Sequence, residues 1–589
     1  MPEKSDNPFQ FWEELKRRRV IRVITLYAAA AFVILELISI IVEPLRLPEW
    51  TLQMVIVLLV IGFILSVILS WVYDVTPKGI EKTSPFVDLK SDSKQAASTG
   101  WKIATYISVI IIVAFIIFYF ADNKKGSDIS GLEKSIAVLP FNNLSEEKGN
   151  EHFVDGLVED LLNRISVIEE LKVTSRTSSD MFRERGVKSI HEIAEVLNVS
   201  FIVEGSVQRY GTKARITVQL IDAINDDHIW AKNYDREIVD VFKTQSEIAM
   251  QIATELNTIL TSEQKTHILE NKTKNVKAFE LYQMGRFYWN KRTGDGYNTS
   301  IEYFEKAIKE DPDYGLAYAG LADTYNLMAL QGWIDRQVGR DKAVELAFKA
   351  LELDENLAEA YTVLGSIYDY VDYDWENAEN AFKRALEINP NYATAHHYYS
   401  QHFHITGNHK EARMHIDKAL ELDPLSFVIR YVNGAEMYYN DGRFMEALAE
   451  LQKCNELYEN HPWLPPIYFD VYWQLGDKEK AYEALLKEFE GDSIYKLETA
   501  ENIYKVSGLK ALLDWKINIV IKEAEKGYRL YLLADTYGLI GEDEKALEWL
   551  EKASMLNEIS PHMSFNIHFR NLRNDPRYLA ILNKMGLEE

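Results

Sequence analysis

The chain has 589 residues, 47% of them apolar and 12% aromatic, which allows several folded domains and rules out general disorder. Its formal net charge of −25 lies almost entirely beyond residue 125. So acidic a body, with no basic face interleaved with aromatics, argues against nucleic acid as a ligand. A single cysteine, Cys454, excludes an internal disulfide framework and any CxxC metal or redox motif.

In chain order, residues 1–20 contain "NPFQFWEELKRRR", where Phe9, Phe11 and Trp12 stand beside a basic run; this is expected to be an amphipathic cytoplasmic N-terminus. Apolar runs over residues 21–42, 52–73 and 103–120 are each long enough to cross a bilayer as a helix. They predict a two-span membrane module over 21–73, a cytoplasmic linker over 74–102, and a third transmembrane helix over 103–121, followed by a linker over 122–133. Lys16, Arg17, Arg18 and Arg19 precede the first span, and Lys78, Lys82, Lys90, Lys94 and Lys102 stand between the second and third. Against them stand Arg46, Lys124, Lys125 and Lys134, a balance that favours an inside N-terminus and an outside C-terminal body. Glu36 lies deep in the first span, where it must face another helix or stay protonated; this is compatible with homo-oligomers.

From Ser135 the pattern changes. "SIAVLPF" reads as a buried strand, and Phe153, Leu157, Leu161 and Ile165 then recur at four-residue spacing on one helix face. Further on, Val199, Phe201, Val203 and Val207 alternate with period two, and Ile216, Val218 and Leu220 follow a turn at Gly211, predicting an antiparallel meander. A helix over residues 241–260 carries Ile248, Ile252, Leu256 and Leu260 as its apolar stripe. The motifs "SIAVLPFNNLS", "FVDGLVEDLLNRIS", "LKVTSRTSS", "VEGSVQR" and "ITVQLIDAINDDHIWAKNYDRE" resemble, in order, the TolB-like amino-terminal domain of bacterial envelope and membrane-bound regulatory proteins. The resemblance covers residues 134–262 and implies a small α/β domain. With the spans, it implies a multi-pass protein of the bacterial inner membrane with a periplasmic body. "HEIAE" at His191 lacks the second imidazole of a zinc protease, and "INDDH" lacks the glycine and distant glutamate of a calcium loop. Arg176, Asp222, Trp230 and Asp235 fall at strand ends in these motifs and are expected to fix turns and edges.

The C-terminal half repeats. Ala343, Ala378, Ala412, Ala447 and Ala481 recur every 34 to 35 residues and Ala546 follows after a gap of 65; Gly407, Gly442, Gly476 and Gly541 mark the turns. This is the tetratricopeptide period. Seven repeats are expected over residues 277–560, with an unpatterned stretch at 490–526 and a C-terminal cap over 561–589. Cys454 takes the register of Ala385 and Ala419, a small packed position. The expected fold class is thus multi-domain: three transmembrane helices, a small α/β domain, and an all-α tetratricopeptide-repeat superhelix.

Stacked helix pairs leave a concave groove. Carrying the family's register over, the groove positions are Tyr282, Arg286, Trp289, Asp323, Asn326, Ser366, Asp369, His397, Gln401, His404, Glu436, Tyr439, Asp470, Trp473, Tyr531 and Asp535. Aromatics and carboxylates there fit a basic or polar protein or peptide partner. Within "HHYYSQHFHITGNH" at residues 396–409, His397 and His404 are about 10.5 Å apart along the axis, too far to share one metal. With Gln401 they are expected to form an ordinary polar stripe, the alternative being that their protonation between about pH 5 and 7 tunes partner binding. Without a phosphate loop, nucleophile and base pair, or metal cluster, the sequence implies no cofactor and no enzyme. The expectation is a membrane-anchored interaction scaffold or signalling partner, or, with the body inverted into the cytoplasm, an adaptor for signalling enzymes such as a cyclase.

Overall fold

The computed structural model describes residues 20–42, scattered positions between 55 and 82, and residues 133–145, 151–183, 188–525, 529–556 and 558–587. The chain forms two compact units, Met1–Gly126 and Ser127–Glu589.

In the first unit, a helix spans Val20–Val42, and strands β1 (Tyr73–Thr76) and β2 (Gly79–Lys82) pair antiparallel. Among the described residues no helix is long and apolar enough to cross a membrane. This overturns the three expected transmembrane helices, and the multi-pass inner-membrane location and periplasmic body built on them. The helix Val20–Val42 includes Arg22, four consecutive alanines and Glu36, so its transfer into hydrocarbon gains less than the length of the run suggests. Tyr73, expected to end the second span, instead opens β1, and the loop expected as a linker carries a hairpin. Residues 1–19 and the third expected span lie outside the described residues. The lipid contacts inferred from the spans have no support left, nor has the oligomer inference from Glu36.

The second unit begins with a mixed sheet of order β5-β3-β6-β7-β8. Strand β3 (Ser135–Val138) pairs parallel with both β5 (Lys172–Val173) and β6 (Phe201–Tyr210). The short β4 (Asn142–Asn143) also runs parallel to β6. Strands β6, β7 (Lys213–Asp222) and β8 (Asp227–Glu237) form the antiparallel meander, turning at Gly211 with φ +55°. Alternation along β3 divides the interior: Ile136 and Val138 join one core with helices Glu151–Ser166 and Val241–Glu255, while Ala137 and Leu139 join a second core with helix Ile190–Leu197.

Seven helix pairs then stack between Val276 and Met555 among the described residues, from Val276–Trp289 with Gly294–Glu310 to Leu530–Leu539 with Asp543–Met555. The alanine register is buried from Ala343 to Ala546, and Cys454, in the companion register of Ala385 and Ala419, is buried with no exposure. Burial pushes the Cys454 thiol up to about 12, so it is a packing group and not a nucleophile. Close helix approach requires glycine at Gly365, where an added Cβ would lie 2.6 Å from the Phe382 ring. The unpatterned stretch is helical over Leu497–Ala524 and breaks at Gly508, where φ is 79°. Two groove helices loosen into π turns, Tyr368–Asp372 and Val432–Tyr438.

The sheet domain is pinned to the repeats by loops that end helix pairs. The Asn391 side chain donates to the carbonyls of Ser166 at 2.8 Å, Ile168 at 3.3 Å and Leu171 at 2.9 Å, and accepts from the Val173 amide at 3.2 Å. One repeat later, Asp423 accepts from the Ser178 hydroxyl while the Ser175 amide donates to Leu422. Arg209 and Lys272 add ion pairs to Glu280 and Asp354. Replacing Asn391 by Ala strands several buried backbone groups, and urea denaturation should show a loss of about 3 kcal/mol. A loss below about 1 kcal/mol would mean that Asn391 does not hold the two parts together.

Candidate functional site: the repeat groove

The groove is built by the first helix of each pair, and its second half is already filled. After the last helix pair the chain turns back, and residues 559–569 lie across helices more than a hundred positions upstream. Ser560 caps the turn Pro561–Ser564, which Pro561 starts, and Asn566 caps Ile567–Phe569, so the segment enters as two short 3-10 turns. The Tyr370 hydroxyl meets His562 Nε2 at 3.2 Å, Ser564 donates to the Ile405 carbonyl at 3.0 Å, and the Ile567 amide donates to Asn440 at 3.0 Å. The Phe565 ring stacks on His404 with centroids 3.9 Å apart and planes within 10°. His568 joins two repeats: Nδ1 lies 2.7 Å from Asp535 and Nε2 lies 2.7 Å from the Tyr439 hydroxyl. Asn566 also donates to Asp535 at 2.7 Å and lies 3.4 Å from the Tyr531 hydroxyl. Met563, Phe565 and Phe569 are buried with Ile405, Leu533 and Tyr578 in one cluster. The C-terminal segment is therefore more than an end cap: it is a bound peptide within the same chain, touching the expected groove positions His404, Tyr439, Tyr531 and Asp535.

The other expected positions divide into two sets. Some bond to each other across neighbouring repeats: Asn326 donates to Ser366 at 3.1 Å, Gln401 donates to Glu436 at 2.7 Å, and Asp369 lies 2.7 Å from His402 Nδ1. Tyr282 packs in the core against Phe304 and Tyr314, and Trp473 against Phe469. Asp470 is pushed up to about 7 by burial, with His568, Asp535, Lys516 and Glu488 as its charged neighbours. On the first and fourth helix pairs, groups remain without partners. Trp289 Nε1 and His397 Nε2 are buried with no hydrogen bond. Arg286 and Arg292 sit over the Trp289 ring at 4.1 and 3.7 Å, and Arg286 is 3.9 Å from Asp323, whose carboxyl burial pushes up. This end offers donors, cations and an aromatic face to a ligand.

The histidine-rich stretch resolves residue by residue. His396 Nδ1 meets His415 Nδ1 at 2.8 Å, and burial pushes both down to about 4. Burial pushes His397 and His404 down to about 3, so neither charges between pH 5 and 7 and the alternative of pH tuning through them is overturned. In the sheet domain the four strand-end candidates are structural. Arg176 pairs with Glu159 and Asp180, Asp222 caps the turn at Ile224 and Asn225, Trp230 packs on the core, and Asp235 pairs with Arg215. Sequence reading missed Tyr370, Asn440, Phe565 and His568. The available signal was "PHMSFNIHF", in which histidine and asparagine alternate with large apolar residues beyond what an end cap requires.

Residues 132–253 match the profile of the HilA/YgeH-like transcriptional regulator second domain, and residues 529–559 match a tetratricopeptide repeat. The chain is 28% identical over 225 residues to a protein named Putative adenylate cyclase 3 of Rhizobium meliloti, covering 37% of this chain and 38% of that one. It is 24% identical over 313 residues to the transcriptional regulator HilA of Salmonella typhimurium, covering 52% of this chain and 54% of that one. The chain thus spans from about a third to a half of the length of these relatives. Among solved structures, a thermophilic TPR protein of Thermus thermophilus matches with 23% identity and a TM-score of 0.28, over 34% of this chain and 98% of that one. The chain therefore contains a tetratricopeptide repeat at residues 529–559.

The His568 to Asp535 pair carries a pH signature. Burial alone would raise Asp535 and lower His568, but their mutual attraction and hydrogen bond win, holding Asp535 below 3.8 and His568 above 6.5. A lowered carboxyl stabilises above its unfolded value and a raised imidazole below its own, so the pair contributes fully between those two values. The contribution fades as pH rises through the folded His568 value. The stability difference between the parent and His568→Gln, from urea midpoints, should shrink by about 1 kcal/mol or more from pH 6 to pH 9. A difference that is constant with pH would refute the charged pair.

Proposed function

We propose that this protein is a non-enzymatic interaction scaffold or signalling partner whose repeat groove receives a segment of another protein. The observation that carries this reading is the groove's grip on residues 559–569. Hydrogen bonds between the segment and Tyr370, Asn440 and Asp535, the last two accepting, together with the stacked ring of His404, hold a peptide-like segment residue by residue. A surface that does this within the chain has the chemistry to do it between chains. The end lined by Arg286, Trp289, Asp323 and His397, which residues 559–569 do not touch through the contacts above, is where a partner docks first. Its arginines and unpartnered donors suit a segment bearing carboxylates, while Asp323 selects against a purely acidic one.

A TolB-like sheet domain fixed to the repeats fits a regulatory role. Partial relatives bear the names of a cyclase and of a transcriptional regulator, and likeness to such different proteins fits binding or regulation better than chemistry of its own. The cyclase-named relative also favours a second reading, an adaptor for a signalling enzyme such as a cyclase.

In-cell cross-linking followed by mass spectrometry tests both readings. Trp289→Ala should remove at least one cross-linked partner, and Phe565→Ala, which loosens the bound segment, should raise partner recovery several-fold. An unchanged partner set in both variants would defeat the groove reading, and recovery of a nucleotide cyclase would favour the second.

A further inference from the structure

Where the fourth helix pair turns, side chains from three backbone segments converge. His404 closes the helix Ala393–Ile405, His409 opens the helix His409–Leu422 after Gly407 with φ +83°, and Asp441 stands in the next repeat's turn before Gly442 with φ +75°. We propose that His404, His409 and Asp441 form a binding site for a divalent transition-metal ion of the zinc class, linking the turns of two successive repeats.

The first support is geometric. One ligand atom from each of the three residues lies within 4.8 Å of the others, so modest side-chain rotation brings two imidazoles and a carboxylate to one centre. That donor set suits zinc and leaves a fourth position for water or a partner's side chain. The second support is independent. His404 is 3% exposed and its Nδ1 has no hydrogen-bond partner. A buried imidazole normally has both nitrogens satisfied, and one held with a spare lone pair is arranged like a ligand.

The ring is also held in place. Phe565 stacks on its face at 3.9 Å, and the His409 ring meets it edge-on at 5.1 Å with planes at 76°. The nearby cations are tied elsewhere. Arg413 is bonded to Asn433 at 2.6 Å and lies over the Tyr438 ring at 4.3 Å, while His562 meets the Tyr370 hydroxyl. Asp441 supplies the negative charge that the two neutral imidazoles lack.

Spacing along one helix puts His397 and His404 too far apart, but the Gly407 turn folds His409 back toward His404, and the following repeat brings Asp441. The site needs the stacking of repeats, and it does not depend on the groove's binding any partner.

The test uses the full-length protein, stripped with a chelator and titrated with Co²⁺, whose visible absorption reports coordination, followed by displacement with Zn²⁺. One Co²⁺ per chain with a low-symmetry spectrum, displaced by one Zn²⁺, is expected. His409→Ala and Asp441→Asn change exposed residues, so the fold should persist by circular dichroism. Each should weaken Zn²⁺ binding by about tenfold or more, while His228→Ala, in the sheet domain, should leave it unchanged. Absence of stoichiometric binding, or binding that neither variant weakens, would overturn the site.

Discussion

The bridge from Asp535 through His568 to Tyr439 is the interaction on which the second half of the molecule depends. A stack of helix pairs buries one face of each helix and leaves the concave face to water or to a ligand. Here that face carries carboxylates and hydroxyls at Asp470, Asp535 and Tyr439 that would be costly to bury unpaired. His568 answers two of them with its two ring nitrogens. Once that ring is placed, Phe565 falls on His404 and Met563 and Phe569 enter the apolar cluster, so one bifunctional side chain sets the position of the whole returning segment. The π turn Val432–Tyr438 ends just before Tyr439, which helps explain why a helix interior accommodates the contact.

The other half of the groove is shaped by the sheet domain. Asn391 and Asp423 occupy equivalent loops of successive repeats and satisfy backbone and hydroxyl groups of the segment from Ser166 to Ser178. Because these bonds are buried and directional, the sheet sits on the repeats in one arrangement and not as a bead on a linker. The ends of the superhelix are thus treated differently. The sheet domain packs on the first repeat and is bonded to the middle ones, and the C-terminal segment lies across the later repeats.

How much of this the sequence exposes depends on how local each cause is. The repeat period was legible because a small side chain at a helix contact is demanded within a single helix pair; Ala343 through Ala546, and Cys454 in the companion register, announce the packing directly. The meander strands were legible from their alternation and β3 from its apolar run, but the hairpin β1–β2 and the short β4 were not, nor was the order β5-β3-β6-β7-β8, because the parallel partners of β3 come from distant segments. The expected groove positions follow the helix register, yet their partners could not be read: Tyr439 bonds to a residue 129 positions away. The histidine stretch failed for a related reason. Helical spacing separates His397 from His404 correctly, but says nothing of His409 folding back or of burial. In the first of the expected spans, hydropathic length alone gave too much weight to a run holding alanines, Arg22 and Glu36.

The unpartnered groups point to where the molecule is unfinished. Native proteins satisfy nearly all buried polar atoms, and the described groove does so wherever the returning segment or a neighbouring repeat reaches. The exceptions on it are Trp289 Nε1, His397 Nε2, His404 Nδ1 and Asp369 Oδ2. Two of them, Trp289 and His397, stand toward the end lined by Arg286 and Asp323, and a third belongs to the proposed metal site. The occupied half shows what a satisfied groove looks like in this protein, and the unsatisfied atoms mark the places where another molecule would complete it.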